Sequence, residues 1–162
     1  MMNIALSLTG IFHTIFGIAA LISGFLLLWK NKQISYGPFA GKIYLITTII
    51  TAASSLAIFK HGTFHVAHLL GVFTLLAVLV GVVTEKMIIF KSWNKYAVNL
   101  FYSSTILFHL LPTATEILTR FPPDSPIANS LKDPLLLKTF VGIFLVFLIM
   151  LIWQMKWLKG QK

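Results

Sequence analysis

Apolar runs of about twenty residues or more recur five times along this chain, separated only by short polar breaks. Such runs are long enough to cross the hydrocarbon core of a bilayer as helices. Only 10% of the residues are charged and 57% are hydrophobic. A soluble domain carries roughly 25% charged residues, so this chain cannot coat a water-facing surface. The pattern predicts an all-α integral membrane protein, a single bundle of five transmembrane helices with no second domain.

The spans are predicted at about 4–29, 39–59, 63–84, 95–118 and 135–157. Lys30-Asn31-Lys32 stops the first, and Pro38 suits the start of the second. Lys60-His61-Gly62 closes the second and Glu85-Lys86 the third. The fourth ends before Arg120 and Phe121-Pro122-Pro123, and Asp133-Pro134 opens the fifth as N-cap and first-turn pair. Short loops make consecutive spans antiparallel neighbours. The apolar run that starts at Met1 is too long for a cleavable signal and lacks a basic flank.

Lys and Arg set the orientation. One side collects Lys30, Lys32, Lys42, Lys86, Lys91, Lys95, Lys156, Lys159 and Lys162; the other has Lys60, Arg120, Lys132 and Lys138. The richer side is assigned to the cytoplasm, which puts the N-terminus outside and the C-terminus inside. Trp29, Trp93, Trp153 and Trp157 fall near the cytoplasmic ends, where an aromatic belt belongs. The net charge of +9 therefore reads as topology and lipid headgroups. No basic face interleaved with stacking aromatics points to nucleic acid. The chain has no cysteine, which excludes a disulfide, an iron–sulfur cluster or a thiolate metal site.

The histidines carry the functional signal. Counted at about 1.5 Å per residue, His13, His65, His68 and His109 all lie within roughly 15 Å of the external boundary, on three different spans. His61 falls at that boundary and reads as a loop residue. His65 and His68 share a helical face. His13 lies on a stripe with Thr9, Gly17, Ala20 and Gly24, whose small residues admit a neighbouring helix. His109 lies on a polar stripe with Tyr102, Thr105, Thr113, Glu116 and Arg120, and span two presents Tyr44, Thr48, Thr51 and Ser55. Polar groups in a membrane usually face the bundle interior. Imidazole nitrogen is a ligand for haem iron, zinc, copper and non-haem iron. A plainer account gives each His a hydrogen bond to the next helix, pairs Glu116 with Arg120, and returns the span-two hydroxyls to their own backbone.

Phe12-His13 followed by Gly17, Gly41-Lys42-Ile43-Tyr44, and Phe64-His65-Val66-Ala67-His68 resemble a family of small bacterial polytopic membrane proteins of uncharacterised function. The stretch from His109 through Pro112 and Glu116 to Arg120 and Phe121-Pro122 is also similar to such proteins. The resemblance implies the bacterial cytoplasmic membrane and supplies no activity. A looser, architectural similarity links the chain to small membrane b-type cytochromes, which hold haem between His residues of a four-helix bundle.

Three functions fit these residues. The leading expectation is one cofactor, haem b or a transition-metal ion (zinc, copper or iron), held by His13, His65, His68 and His109, with Tyr44, Tyr102, Thr113, Glu116 and Arg120 in support. Haem would imply electron transfer with quinone or a membrane partner, or haem handling. The second is an intramembrane zinc hydrolase using Glu116, read here as the only acid on a span. The third is a non-catalytic carrier or structural subunit with a polar proton or solute path. Span five has no ionisable residue in its middle, so it forms a peripheral fifth helix facing lipid or a second copy.

Overall fold

The computed structural model describes residues 7–58 and 64–161. Among the described residues there are five α-helices and no strand: α1 (Leu8–Asn31), α2 (Phe39–Ser55), α3 (Val66–Met87), α4 (Asn94–Arg120) and α5 (Pro134–Gly160), with a 3-10 turn at Lys91–Trp93. At about 1.5 Å per residue, α1, α3 and α5 run about 36, 33 and 40 Å. These three are long and apolar enough to cross a membrane. α2 is apolar but has 17 residues, about 26 Å of helix. α4 has 27 residues, and its polar stripe makes it less apolar than the others.

The helix ends follow from local chemistry. Ser7 caps α1 by accepting a hydrogen bond from the Gly10 N–H at 3.1 Å. α2 stops at Ser55, short of the expected Phe59. There the Ser54 and Ser55 hydroxyls donate to the Thr51 and Ala52 carbonyls. The next three amides, Leu56 to Ile58, bond three residues back, which tightens and ends the helix. α3 begins at Val66, with His65 outside it as the N-cap. Asp133 caps α5 and Pro134 occupies its first turn, as the Asp-Pro pair predicts. The expected ends of spans one, two and three at Ile4, Phe59 and Thr63, together with Lys60, His61 and Lys162, lie outside the described residues.

The chain divides into two compact units, with the boundary inside α4 between Thr105 and Ile106. In the first, consecutive helices are antiparallel. His13 near the start of α1 meets Thr51 and Ser54 at the end of α2. Asn94 at the start of α4 donates to the Thr84 carbonyl near the end of α3 at 2.9 Å. The small-residue stripe of α1 does admit its neighbour: Ala20 and Gly24 are buried, and a Cβ on Gly17 would stand 3.4 Å from Thr51. On the outward face of α1, Ile11, Ile15, Ile18, Ile22 and Phe25 are exposed, and Leu69, Phe73, Leu76 and Val80 are exposed on α3. Large aliphatic and aromatic residues at helical spacing on the outside, over a polar inside, suit lipid as the surrounding solvent.

The second unit holds the rest of α4, the connection 121–133 and α5. The connection folds back on the end of α4: the Ala128 N–H donates to the Leu118 carbonyl at 2.8 Å and Ile127 N–H to Phe121 at 3.2 Å. The Phe121–Pro122 peptide is cis. α5 exposes Leu137, Val141, Phe144, Leu145, Ile149 and Ile152.

Candidate functional site

The four histidines His13, His65, His68 and His109 are chemically unequal. His13 Nδ1 lies 3.0 Å from the Thr51 carbonyl and 3.1 Å from Ser54 Oγ. A carbonyl can only accept, so Nδ1 carries the proton and donates. Ser54 spends its own hydroxyl proton on the same carbonyl, at 2.9 Å, and can accept from the ring. Neutral His13 therefore has its lone pair on Nε2.

His65 and His68 are the reverse case. His65 Nδ1 accepts from the Ala67 N–H at 3.2 Å, and His68 Nδ1 accepts from the His65 N–H at 3.2 Å. Together they make a capping box on α3 from two imidazoles, where Ser and Glu are usual. An amide N–H can only donate, so both Nδ1 atoms carry lone pairs and both neutral rings hold their proton on Nε2. The His68 ring is buried, stacked on Phe64 at 5.1 Å and edge-on to His65 at 4.3 Å. Ligation through Nδ1 of either residue would uncap the helix.

His109 is buried on α4 in the second unit, and its carbonyl accepts from the Thr113 hydroxyl at 2.8 Å. Glu116 and Arg120 form an ion pair at 2.7 Å one turn apart, half-exposed. Among the described residues no group of three or more His, Asp or Glu side chains converges to hold a metal ion.

The first unit instead assembles a column of buried hydroxyls ending on a carboxylate. Tyr44, Thr48, Tyr102, Ser103 and Thr105 are fully buried, with Thr51 nearly so. The Tyr44 hydroxyl bonds the Thr105 hydroxyl, which itself donates to the Tyr102 carbonyl at 2.6 Å. Tyr102 reaches the other way and donates to Glu85 Oε2 at 2.8 Å. Glu85 also accepts the Tyr36 N–H, at 3.1 Å to Oε1 and 2.9 Å to Oε2. Tyr102 reaches it by lying against Gly81, one turn before Glu85, where a Cβ would stand 2.5 Å from the ring. One residue before Glu85, the buried Thr84 hydroxyl has no hydrogen-bond partner among the described residues. Of the span-two hydroxyls, Thr47, Thr51, Ser54 and Ser55 return to their own helix carbonyls, as the plainer account expects.

Glu85 is a residue that the sequence reading takes only as the stop of span three, with Glu116 as the candidate acid. It lies within α3, two residues before its end, with a partly buried side chain. The usable signal was the small-residue gap at Gly81 one turn earlier, which leaves room on that face for a large polar residue from another helix.

No family model matches this chain, and neither a curated protein nor a solved structure matches it.

Proposed function

We propose that this is a membrane protein of the carrier class whose first unit conducts protons between its lysine-rich end, taken as cytoplasmic, and the end that holds His13. The observation that carries this reading is the Tyr102 hydroxyl bonded to the Glu85 carboxylate beneath a column of buried hydroxyls. Intramembrane ionisable groups are costly and mark ion or proton pathways. A hydroxyl can accept one proton while giving up its own, and it then turns back; the Thr51, Ser54 and Thr105 hydroxyls would leave their backbone carbonyls for that step. Three hydrogen-bonded groups lie along the column: Glu85 with Tyr102, Tyr44 with Thr105, and Thr51 with Ser54 and His13. His13 closes the path with an imidazole, which can take a proton on one nitrogen and release one from the other. The close seating of Tyr102 on Gly81 favours a proton over a hydrated ion or a solute. The bacterial cytoplasmic membrane rests on the resemblance of the His13, Tyr44 and His65–His68 segments.

The test is proton flux into proteoliposomes under an imposed potential, read with an internal pH dye. Glu85→Gln and Tyr102→Phe should lower the flux by about a hundredfold, the low end for loss of a positioned proton donor or acceptor. Thr14→Val, at an exposed hydroxyl that returns to the Gly10 carbonyl, should leave it unchanged. Flux no higher than in empty liposomes would end this reading.

A second reading keeps one cofactor, haem b or a metal ion, on His13. It is favoured by the bond from Nδ1–H to the Thr51 carbonyl, the orienting contact that a ligating imidazole usually makes through its other nitrogen. His65 and His68 fit that role poorly, because their lone pairs serve the helix cap. An absorbance spectrum with metal analysis on the purified protein separates the two readings. A reducible Soret band or stoichiometric metal, lost in His13→Ala, would establish the second.

A further inference from the structure

At the lysine-rich end of the first unit, a cleft of about 400 Å³ opens between the α1–α2 connection, the end of α3 and the start of α4. Its polar lining is Gln33, Ser35, Glu85, Lys91, Ser92, Asn94 and Lys95. The proton column uses only one of these, Glu85. We propose that this cleft binds the phosphoethanolamine headgroup of a membrane lipid, the phosphate on Lys91 and Lys95 and the ammonium on Glu85.

The charges select the headgroup. Two lysines and one carboxylate share the lining. A purely anionic phosphate group would meet the carboxylate as well as the cations, whereas a zwitterion satisfies both. Glu85 has acceptor capacity to spare: Oε1 takes one hydrogen bond, from Tyr36 N–H at 3.1 Å, and a carboxylate offers about four lone-pair sites. A primary ammonium brings N–H donors to that site, and a quaternary one brings none. Lys95 itself lies over the Tyr96 ring, 5.5 Å from its centroid, and two other lysines of this end share a second ring. Lys42 and Lys86 lie over the Tyr36 ring, 5.6 and 4.7 Å from its centroid. They fix the connection whose Tyr36 N–H orients the Glu85 carboxylate.

The rim argues for a lipid over a soluble phosphoethanolamine. Met87, Ile88, Ile89, Phe90 and Trp93 follow one another around the α3–α4 connection with their side chains largely exposed. Such a rim has no use in water, but it suits acyl chains beside a charged headgroup. Ile88 and Lys91 both hold left-handed backbone, at φ 49° and 48°, without being glycine. This connection is therefore shaped at a conformational cost, as at many ligand sites. Lys91 follows directly on the apolar rim, so a cation of the cleft lies next to the surface that would meet the chains.

Native mass spectrometry of the full chain in detergent, titrated with didecanoyl lipids, tests this. Phosphatidylethanolamine should bind about tenfold more tightly than phosphatidylcholine or phosphatidylglycerol, the effect of about one charge-assisted hydrogen bond. Lys91→Gln with Lys95→Gln should weaken both phosphatidylethanolamine and phosphatidylglycerol. Glu85→Gln should erase the preference between them. Should Glu85→Gln not fold, the headgroup series on the unaltered protein decides alone. Equal binding of the three lipids, or binding indifferent to the two lysines, overturns the proposal. So does free phosphoethanolamine binding as tightly as the lipid, which would make the ligand soluble. Lipid binding is read without proton flux, so either proposal can fail while the other stands.

Discussion

Gly81→Ala offers a quantitative test of the contact that positions Tyr102. In an open helix, alanine is favoured over glycine by about 1 kcal/mol. Here the new Cβ would stand 2.5 Å from Tyr102 Cε1 and 2.8 Å from Cδ1. Those atoms belong to a rigid, fully buried ring, with no flexible end to swing away. Overpacking of this kind costs about 1–3 kcal/mol. Displacing the ring also stretches its 2.8 Å bond to Glu85, and a hydrogen bond to a charged group is worth about 1.5–3 kcal/mol. Even partial loss of that bond outweighs the propensity gain, so Gly81→Ala should destabilise the protein by about 1–3 kcal/mol. Removing the ring should reverse the sign. In a Tyr102→Ala background the clash and the bond are both gone, and Gly81→Ala should be neutral or stabilising by up to about 1 kcal/mol. The assay is reversible unfolding in mixed micelles, followed by circular dichroism, over the four proteins of the cycle. If Gly81→Ala has the same effect in both backgrounds, Tyr102 is not seated on Gly81, and the geometry of the Glu85 bond falls with it.

Two further expectations concern the ends of the helices. A fluorescent protein that matures only in the cytoplasm, fused after Lys162, should be bright, and an alkaline phosphatase fused there should be inactive; the opposite pair of results would invert the orientation drawn from the lysine distribution. The Asp133 carboxyl is held below the usual aspartate range by the Asn129 N–H at 3.0 Å and the Leu135 N–H at 2.9 Å. A depressed folded-state value means that its contribution to the α5 cap is complete above the unfolded value, about 3.9, and is lost as pH falls through the folded one. Carbon-13 titration of that carboxyl should give a midpoint below about 3.9, and a midpoint at or above it would show that the cap does not hold the charge.

What the sequence made legible was whatever depends on one helix at a time. The apolar runs located the elements, Asp133-Pro134 marked a start, and the small-residue stripe of α1 announced a packing face, because each is a property of spacing along a single segment. His13, His65, His68 and His109 are equivalents on that basis, since residue type and depth are all that one segment supplies. Their chemistry is set by hydrogen-bond partners. A carbonyl on α2 fixes the proton of His13, and two backbone amides fix the lone pairs of His65 and His68. Depth alone cannot register that difference, and it decides which nitrogen can bind a ligand. Glu85 was hidden for a related reason. Beside Lys86 at the end of an apolar run it reads as a solvated stop. Its role is conferred by Tyr102, 17 positions later on another helix, and by the Tyr36 amide 49 positions earlier. A carboxylate bonded by a buried tyrosine and by a loop amide joins α3, α4 and the α1–α2 connection at one point. Any ligand or proton that changes the state of Glu85 therefore acts on all three elements at once. For that reason the lipid cleft and the proton column, which meet at this residue, should be measured together in Glu85→Gln.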